Sequence, residues 1–329
     1  MKNTGFHILQ LLETPGIGAV RVRAVLDLAN YCQMELGELL THSDILQKVL
    51  TGAQVDALLS NQESILEVWE RLLKMNVSLL AISEEGYPDH LRVLLGKKAP
   101  PLLAVLGNQS VLNKPSVSFC GSRKASDKGL ATAHDCADQL ASKGVNIISG
   151  YAAGVDMTTH RSALESGGTT TLVLAEGILN FKVKRELNKL WDWQRVAVVS
   201  EFLPGIKWSV RNAMQRNHTI CALSRAMLLI EARSTGGSIE AGRACLKMGL
   251  PLFAAVYEGI PETATGNKEL LVGQGAHNLL KSRKTNRANV ESVLAVLRTD
   301  SAKQSSSEKV KDQKKEVSQL TIFGLGVAF

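Results

Sequence analysis

Three times in this chain, a short apolar run ends in a glycine-centred loop that leads into a segment with helical periodicity. The loops are Phe119–Arg123, Ser149–Asp156 and Ser234–Glu240, and the third follows the apolar run Ala226–Ile230. Continuous apolar runs predict strands buried on both faces, and their alternation with helices predicts an open α/β sheet, mostly parallel. In such a sheet the ligand crevice lies at the carboxyl ends of the strands, where these three loops are expected to meet.

The residue types in the loops indicate an anionic ligand. Glycine and serine let backbone N–H groups approach a phosphate, helix N-termini add a favourable dipole, and Arg123 would add a fixed positive charge. No G-x-G-x-x-G with a ribose-binding acid follows the first buried strand, and no G-x-x-x-x-G-K-[ST] occurs anywhere. These absences argue against NAD(P) and against a nucleotide-triphosphate motor, so no cofactor is predicted.

Composition narrows the class of protein further. The 329 residues carry a formal net charge of +7, which is compatible with a nucleic-acid partner without requiring one. The five cysteines include no C-x-x-C pair and no histidine at metal spacing, so neither structural zinc nor another metal site is predicted. No signal peptide and no membrane-spanning apolar run is recognised, so we expect a cytoplasmic protein.

Changes in hydrophobic periodicity and in composition divide the chain into four segments. Residues 1–76 predict a small all-helical domain, residues 77–299 the α/β domain, residues 300–318 a disordered polar linker, and residues 319–329 an isolated apolar peptide. Within the helical domain, Thr14–Val20 (TPGIGAV) predicts a tight turn entering a helix. It has two open interpretations, a helix–hairpin–helix that binds a backbone phosphate or a turn whose glycines allow close packing.

From about Val77 to Leu280 the chain resembles the DprA/Smf family of DNA-processing proteins, because a long ordered series of motifs matches. The pieces, in chain order, are Gly86-Tyr87-Pro88 with Leu91; Pro101-Leu102-Leu103; Gly107-Asn108; Gly121-Ser122-Arg123 with Ser126 and Gly129; Ser149-Gly150 with Gly154-Val155-Asp156, His160, Ala163 and Leu164; Gly167-Gly168-Thr169; Ser200-Glu201; Arg216-Asn217 with Ile220, Leu223 and Ser224; Glu231-Ala232; Gly236-Gly237-Ser238; and Gly266-Asn267 leading to Gly275-Ala276. The helices before them fit the SAM-like or helix–hairpin–helix domain that precedes the fold in many members.

The resemblance implies an extended Rossmann-like domain that binds single-stranded DNA and forms a homodimer. It also implies protection of single strands and loading of a RecA-type recombinase in natural transformation, with no catalytic residues. The predicted DNA- and phosphate-binding residues are Gly121, Ser122, Arg123, Ser149, Gly150, Gly154, Arg216, Asn217, Ser234, Gly236, Gly237 and Ser238. Backbone amides would hold phosphates without reading bases, and the guanidinium groups of Arg123 and Arg216 would each grip two phosphate oxygens.

Five residues near these motifs need separate interpretation. Asp156 and His160 lie four apart at a helix start, and we expect them to order the loop rather than to form an acid/base pair. Asn217 either touches DNA or braces its loop. Glu231 would orient a basic side chain. Glu240 stands where family members more often carry threonine, so it either interacts with the helix dipole or supports nucleotide chemistry.

Two basic clusters flank the core. Lys182, Lys184 and Arg185 are additional candidate DNA contacts, because the neighbouring Phe181, Trp191 and Trp193 would stack on bases. The second cluster is Lys281, Arg283, Lys284 and Arg287. Either cluster is equally well explained as a solvated face of the protein.

The end of the chain departs from the family pattern, because roughly thirty polar residues cannot build the winged-helix domain that many members carry. Gln319, Leu320, Ile322 and Phe323 lie in a segment that resembles the peptide by which bacterial proteins dock on the replicative sliding clamp. The alternative is a terminal strand or helix packed on the core.

Two further functions remain open from sequence. The same Rossmann-like superfamily contains nucleotide sensors and nucleotide hydrolases, with a possible role in phage defence, and Gly236-Gly237 followed by Glu240 would suit such a site. The second is an interaction scaffold that the C-terminal apolar peptide would bring to the replication fork.

Overall fold

The structure, a computed structural model, describes residues 3–259 and 261–299. The predicted linker 300–318 and the candidate clamp-binding peptide with Gln319, Leu320, Ile322 and Phe323 lie outside the described residues. The helices are α1 (Thr4–Glu13), α2 (Ala19–Cys32), α3 (Leu36–Leu39), α4 (Ser43–Leu46), α5 (Gly52–Ser60), α6 (Gln62–Lys74), α7 (Asp89–Leu95), α8 (Asp127–Ala141), α9 (Val155–Glu165), α10 (Val210–Ala222), α11 (Gly237–Lys247) and α12 (Thr265–Gly273). Residues 291–299 are also helical.

Nine strands form one mixed sheet in the order β1-β2-β6-β5-β4-β3-β7-β8-β9. The strands are β1 (Val77–Ala81), β2 (Leu102–Gly107), β3 (Ser116–Cys120), β4 (Asn146–Ser149), β5 (Thr170–Val173), β6 (Val196–Ser200), β7 (Ala226–Leu229), β8 (Leu252–Ala255) and β9 (His277–Leu279). The pairs β1–β2 and β2–β6 are antiparallel, and the pairs from β6 through to β9 are parallel. The prediction of a mostly parallel α/β sheet is therefore confirmed.

The strand order reverses at β3, and this reversal positions the site. Val117 in the middle of β3 pairs with Ile147 of β4 on one side and with Ala226 of β7 on the other. The chain runs outward from β3 through β4 to β5, then returns on the other side with β7. At such a reversal the helices leave on opposite faces of the sheet, and a crevice opens at the carboxyl ends of the two central strands.

The helices before the sheet share a hydrophobic core with its first strands. Phe6 of α1 packs edge-to-face on Trp69 of α6, with ring centroids 5.4 Å apart. Both belong to one buried cluster that continues to Leu79 of β1 and Leu106 of β2. This shared core places the helical region over the antiparallel end of the sheet.

The segment Thr14–Val20 forms the turn between α1 and α2. Gly16 has a positive φ of 79°, and its carbonyl accepts a hydrogen bond of 2.8 Å from Nε2 of Gln54. Ile17 is buried, and Gly18 is the N-cap of α2. Gly16 thus serves the conformation of the turn, whereas a Cβ on Gly18 would meet nothing within 4 Å, and both interpretations of the turn stay predictions.

Candidate nucleic-acid interface

Two adjoining clefts lie at the carboxyl ends of the parallel strands. The first cleft, about 470 Å³, is lined by the loops after β3 and β7, and the second, about 540 Å³, lies beside the loops after β4 and β5. The two share four lining residues, Arg123, Ala152, Trp208 and Arg216, so they form one continuous depression. Eight predicted contact residues line the first cleft, namely Gly121, Ser122, Arg123, Gly150, Arg216, Asn217, Gly237 and Ser238.

Asp156 orders the loop after β4. Its Oδ1 lies 2.8 Å from the hydroxyl oxygen of Ser149, and its Oδ2 accepts a 3.2 Å hydrogen bond from the backbone N–H of Ala152. Ser149 is fully buried, and its hydroxyl also lies 2.8 Å from the carbonyl oxygen of Phe119. The Ser149 hydroxyl is therefore engaged inside the fold, while the predicted contact of a phosphate with the backbone amides of this loop stays a prediction.

His160 is a buried structural residue. Its Nε2–H donates to the carbonyl of Gly150 at 2.6 Å, and its Nδ1 lies 2.7 Å from the hydroxyl oxygen of Thr170. Burial is the main cause that lowers the pKa of His160 to about 4, so the ring is neutral near pH 7. These contacts, with those of Asp156, agree with the expectation that the two residues order the loop.

Arg216 lies at the floor of the depression, and its position differs from the predicted open fork. The residue is 7% exposed, and its Nη1 donates a 3.0 Å hydrogen bond to the carbonyl of Val173. Its Nε is buried and has no hydrogen-bond partner among the described residues. Burial lowers the pKa of Arg216, and the nearby carboxylate of Asp156 opposes this effect. The guanidinium thus holds positive charge below the cleft surface.

Two glycines allow this floor to close. A Cβ on Gly150 would lie 1.8 Å from Nη1 of Arg216 and 2.5 Å from Oδ2 of Asp156. Gly154 has a positive φ of 78°, and a Cβ there would lie 2.4 Å from the carbonyl oxygen of Ser122. Gly150 and Gly154 therefore bring the loops after β3 and β4 together.

Glu231, at the end of β7, organises the loop after β3. Its carboxylate accepts a 2.9 Å hydrogen bond from the backbone N–H of Ser126 and a second one from the Ser126 hydroxyl. Ser126 is the N-cap of α8, and its hydroxyl accepts from the N–H of Gly129. Glu231 thus stabilises a helix start, which corrects the expectation that it orients a basic side chain.

The upper edge of the first cleft is exposed and basic. Arg123 is exposed, and its guanidinium lies 5.6 Å from the ring centroid of Trp208, a cation–π contact. Trp208 is 48% exposed. Arg233 is exposed on the loop after β7 and also lines the first cleft.

The loop after β7 is exposed from Ser234 to Gly237. Asn217 donates from Nδ2 to the carbonyl of Gly237 at 3.2 Å, so it braces the loop after β7, and Arg216 lies beside it on helix α10 rather than on a loop. Ser234 donates its N–H to the hydroxyl of Thr265 at 3.2 Å. These two hydrogen bonds hold the loop on both sides of Gly236, which is itself exposed to solvent.

Trp208 and Tyr151 are site residues that sequence reasoning missed. Tyr151 lines the second cleft, where Nζ of Lys184 lies 4.2 Å from the ring centroid and donates to the Tyr151 carbonyl at 2.6 Å. Burial lowers the pKa of Lys184. An aromatic residue in a polar loop that follows a buried strand was the available signal for both residues.

The predicted basic segment only partly reaches the depression. Lys182 and Lys184 line the second cleft, whereas Arg185 is exposed on the same segment. Phe181 is buried, and its ring centroid lies 5.8 Å from that of Trp191. The buried ring of Phe181 packs on its neighbours, which corrects the expectation that it stacks on bases.

Glu240 and Arg287 are both held in ion pairs, and the place of Glu240 in the first turn of α11 agrees with its interpretation as a helix-dipole contact. Glu240 is exposed in the first turn of α11 and lies 2.5 Å from Nη1 of Arg243, which also pairs with Glu269 at 2.5 Å. Arg287, from the second basic cluster, pairs at 2.5 Å with Asp135 and with Asp138. Both side chains therefore contribute to the surface of the fold.

Within residues 3–259 and 261–299, no group of three or more His, Cys, Asp or Glu side chains is arranged to hold a metal ion. In the same ranges, no helix has the length and apolar character needed to cross a bilayer.

The chain belongs to the DNA recombination-mediator protein A family, whose model matches residues 78–291. It is 32% identical to Protein Smf from Escherichia coli (strain K12) over 181 residues, and 30% identical to DNA processing protein DprA from Streptococcus pneumoniae over 187 residues. These matches cover 54% and 55% of the chain, but 48% and 65% of the two relatives.

Solved structures support the same fold. The X-ray structure of DNA processing protein A from Streptococcus pneumoniae matches with a TM-score of 0.70 at 25% identity, covering 85% of this chain and 95% of that one. DNA processing protein A from Helicobacter pylori, described for its single-stranded DNA binding mode, matches with a TM-score of 0.55 at 22% identity. That match covers 68% of this chain and 96% of the other, and it bears on the fold alone.

Proposed function

We propose that the chain binds single-stranded DNA in the continuous depression formed by the first and second clefts. The observation that carries the proposal is Arg216, a buried guanidinium below the cleft whose Nε has no partner among the described residues. Placing a charge there without a full set of acceptors costs free energy, and an anion bound above it would offset this cost. Arg123 and Arg233 add exposed positive charge on either side.

The geometry favours a polynucleotide over a small phosphate ligand. Two connected clefts share Arg216 and Arg123, so successive phosphates can lie along one line of positive charge. Trp208 offers a half-exposed ring beside Arg123, a platform on which a base of any identity can stack. A duplex keeps its bases paired and stacked inside, so it cannot use this ring in the same way.

Membership of the recombination-mediator family supports a role in recombination. We infer that the chain protects single strands, forms a homodimer and delivers the strand to a RecA-type recombinase in the cytoplasm. DNA processing protein A from Helicobacter pylori is described for its single-stranded DNA binding mode, and we propose the same ligand class for this chain. In this proposal the chain acts by binding, and Asp156 and His160 order the loop after β4. The clamp-binding role of the terminal peptide stays a prediction.

Fluorescence anisotropy with a labelled oligothymidylate tests the proposal directly. We expect tight binding to the single strand, weaker binding to a duplex of the same length, and affinity that falls steeply with salt. Thermal melting with free nucleoside mono- and triphosphates tests the alternative in the same preparation. A rise in melting temperature with a nucleotide, and no response to oligonucleotides, would replace DNA binding with nucleotide sensing.

A further inference from the structure

A third cleft, of about 710 Å³, lies at the opposite ends of the strands from the first. It is lined by the end of β2 at Leu106 and Gly107, by Asn76 just before β1, and by Trp193 and Gln194 just before β6. Because β2 runs antiparallel to both β1 and β6, the start of β1, the end of β2 and the start of β6 lie at the same end of the sheet.

The third cleft is connected to the DNA depression through one basic residue. Lys182 lines both the second and the third cleft. The connection follows the segment after β5, which passes from the carboxyl ends of the strands toward their amino ends. A strand that leaves the second cleft past Lys182 would therefore enter the third without crossing the core.

A series of aromatic rings follows the same path. The ring centroid of Tyr151 in the second cleft lies 5.5 Å from that of Phe181, which lies 6.4 Å from that of Trp193 in the third. Trp193 is 40% exposed and stands edge-to-face on Trp191, with centroids 5.1 Å apart. The packed rings below hold the Trp193 indole in place while part of it faces the cleft.

The polar groups of the third cleft suit nucleobases. Asn76, Gln109 and Gln194 are among its lining residues, and a side-chain amide offers both hydrogen-bond donors and acceptors, as base edges do. Lys182 is a charged residue in the lining, and none of its described lining residues is Asp or Glu. The nearby Asp192 is held by Arg195, with Oδ2 and Nε 2.9 Å apart.

We propose that the third cleft is a nucleobase subsite for the same single strand that occupies the first two clefts. The proposal rests on the proposed function, because the strand reaches Trp193 only by way of the DNA depression. Phosphate contacts would concentrate at Arg123 and Arg216, whereas the third cleft would contribute stacking on Trp193 and hydrogen bonds to amides.

The test is a length series of oligothymidylates, from about four to about 20 nucleotides, measured by anisotropy with the full chain. For the wild type, affinity should rise at the length that reaches Trp193. Trp193→Ala should lose that rise, a weakening of about 5- to 100-fold for long strands, and should leave the shortest strand unaffected. Trp193→Phe should keep most of the rise, since a ring remains.

Gln194→Glu gives a second variant that does not depend on repacking, because Gln194 is exposed. A carboxylate at this position should lower the affinity for long oligothymidylates and leave the affinity for short ones unchanged. Trp208→Ala should lower the affinity for oligothymidylates of every length. Tyr31→Ala removes an 85% exposed ring from α2 and should leave the affinity unchanged at every length. If Trp193→Ala and Gln194→Glu match the wild type at every length, the third cleft is not a subsite. If the wild type binds no length, the proposed function itself fails.

Discussion

The floor and the rim of the depression adjoin at the carboxyl ends of the parallel strands but differ in what their side chains do. The floor consists of Ser149, Asp156, His160, Arg216 and Glu231, all at most 9% exposed and bonded mainly to one another or to backbone groups. The rim is a separate set of exposed or half-exposed residues that carry few internal hydrogen bonds, namely Arg123, Trp208, Arg233 and the loop residues 234–237.

The contrast shows that residues close together in the glycine-rich loops can have different roles, some in packing the loops and others in forming the open surface. Residues of the floor determine how closely the loops approach, so changes there act on folding first and on binding as a consequence. Under the proposed function, residues of the rim meet the ligand, so changes there should act on binding with little effect on stability. Arg216 belongs to both layers, because it is buried yet lines both clefts.

Gly150→Ala should produce the largest effect of the substitutions considered. Its Cβ would lie 1.8 Å from Nη1 of Arg216, so the floor must open and the free energy of unfolding should fall by about 2–4 kcal/mol. Urea denaturation measures this loss, and DNA affinity should fall with it. The matched control is Gly205→Ala, where a Cβ meets nothing within 4 Å. Equal stability of the two variants would show that the floor is not close-packed.

His160 should make the floor sensitive to acid. Its pKa is lowered to about 4 in the native state by burial and lies near 6.5 in the unfolded chain, so between these values the unfolded state holds the extra proton. Stability is full above pH 6.5 and should be lower by about 2 kcal/mol at pH 5 from this residue alone. Denaturation of His160→Gln at pH 7.5 and 5 should show a smaller difference than the wild type. An equal difference in both proteins would contradict a buried neutral histidine.

Trp208→Ala should lower affinity for single-stranded DNA without changing stability. Loss of one stacked base corresponds to about 1–3 kcal/mol, and Trp208→Phe should retain most of the affinity because a flat ring remains. Anisotropy and thermal melting of the same samples separate the two effects. A drop in melting temperature as large as that of Gly150→Ala would assign Trp208 to the floor instead.

Glu240→Gln should have the smallest effect. The side chain is exposed and pairs with Arg243, so the expected change in unfolding free energy is within about 0.5 kcal/mol. Affinity for DNA should be unchanged or slightly higher, since one negative charge near the depression is removed. Loss of a nucleotide-dependent shift in melting temperature upon this substitution would instead support the nucleotide-sensing alternative.

Much of the fold was predictable because it depends on local patterns. Apolar runs such as Ala226–Ile230 predicted the strands, and the loops that follow them predicted that the site lies at the carboxyl ends of those strands. The first loop, Gly121–Arg123, was found for the same reason. The boundaries between the helical region and the sheet domain remain a prediction, since the structure shows the two sharing one hydrophobic core.

The division between floor and rim was not predictable, because it depends on partners far apart in the chain. The contacts of the Ser149 hydroxyl with Asp156 and with the Phe119 carbonyl, for example, join residues that no local pattern connects. Arg216 resembles an open basic residue, and its burial follows from the close approach of Gly150. Trp208 lies in an irregular segment without periodicity, so the one signal for it was an aromatic ring in a loop after a buried strand, which does not show where the ring points.

The salt dependence of single-strand binding by the wild type and Arg123→Ala tests the central claim most directly. Arg123 is exposed on the rim, so its loss should leave the melting temperature unchanged. The slope of log affinity against log salt should become shallower by about 0.7, the value for one phosphate of a single strand. An unchanged slope and affinity would show that the strand does not pass through this depression.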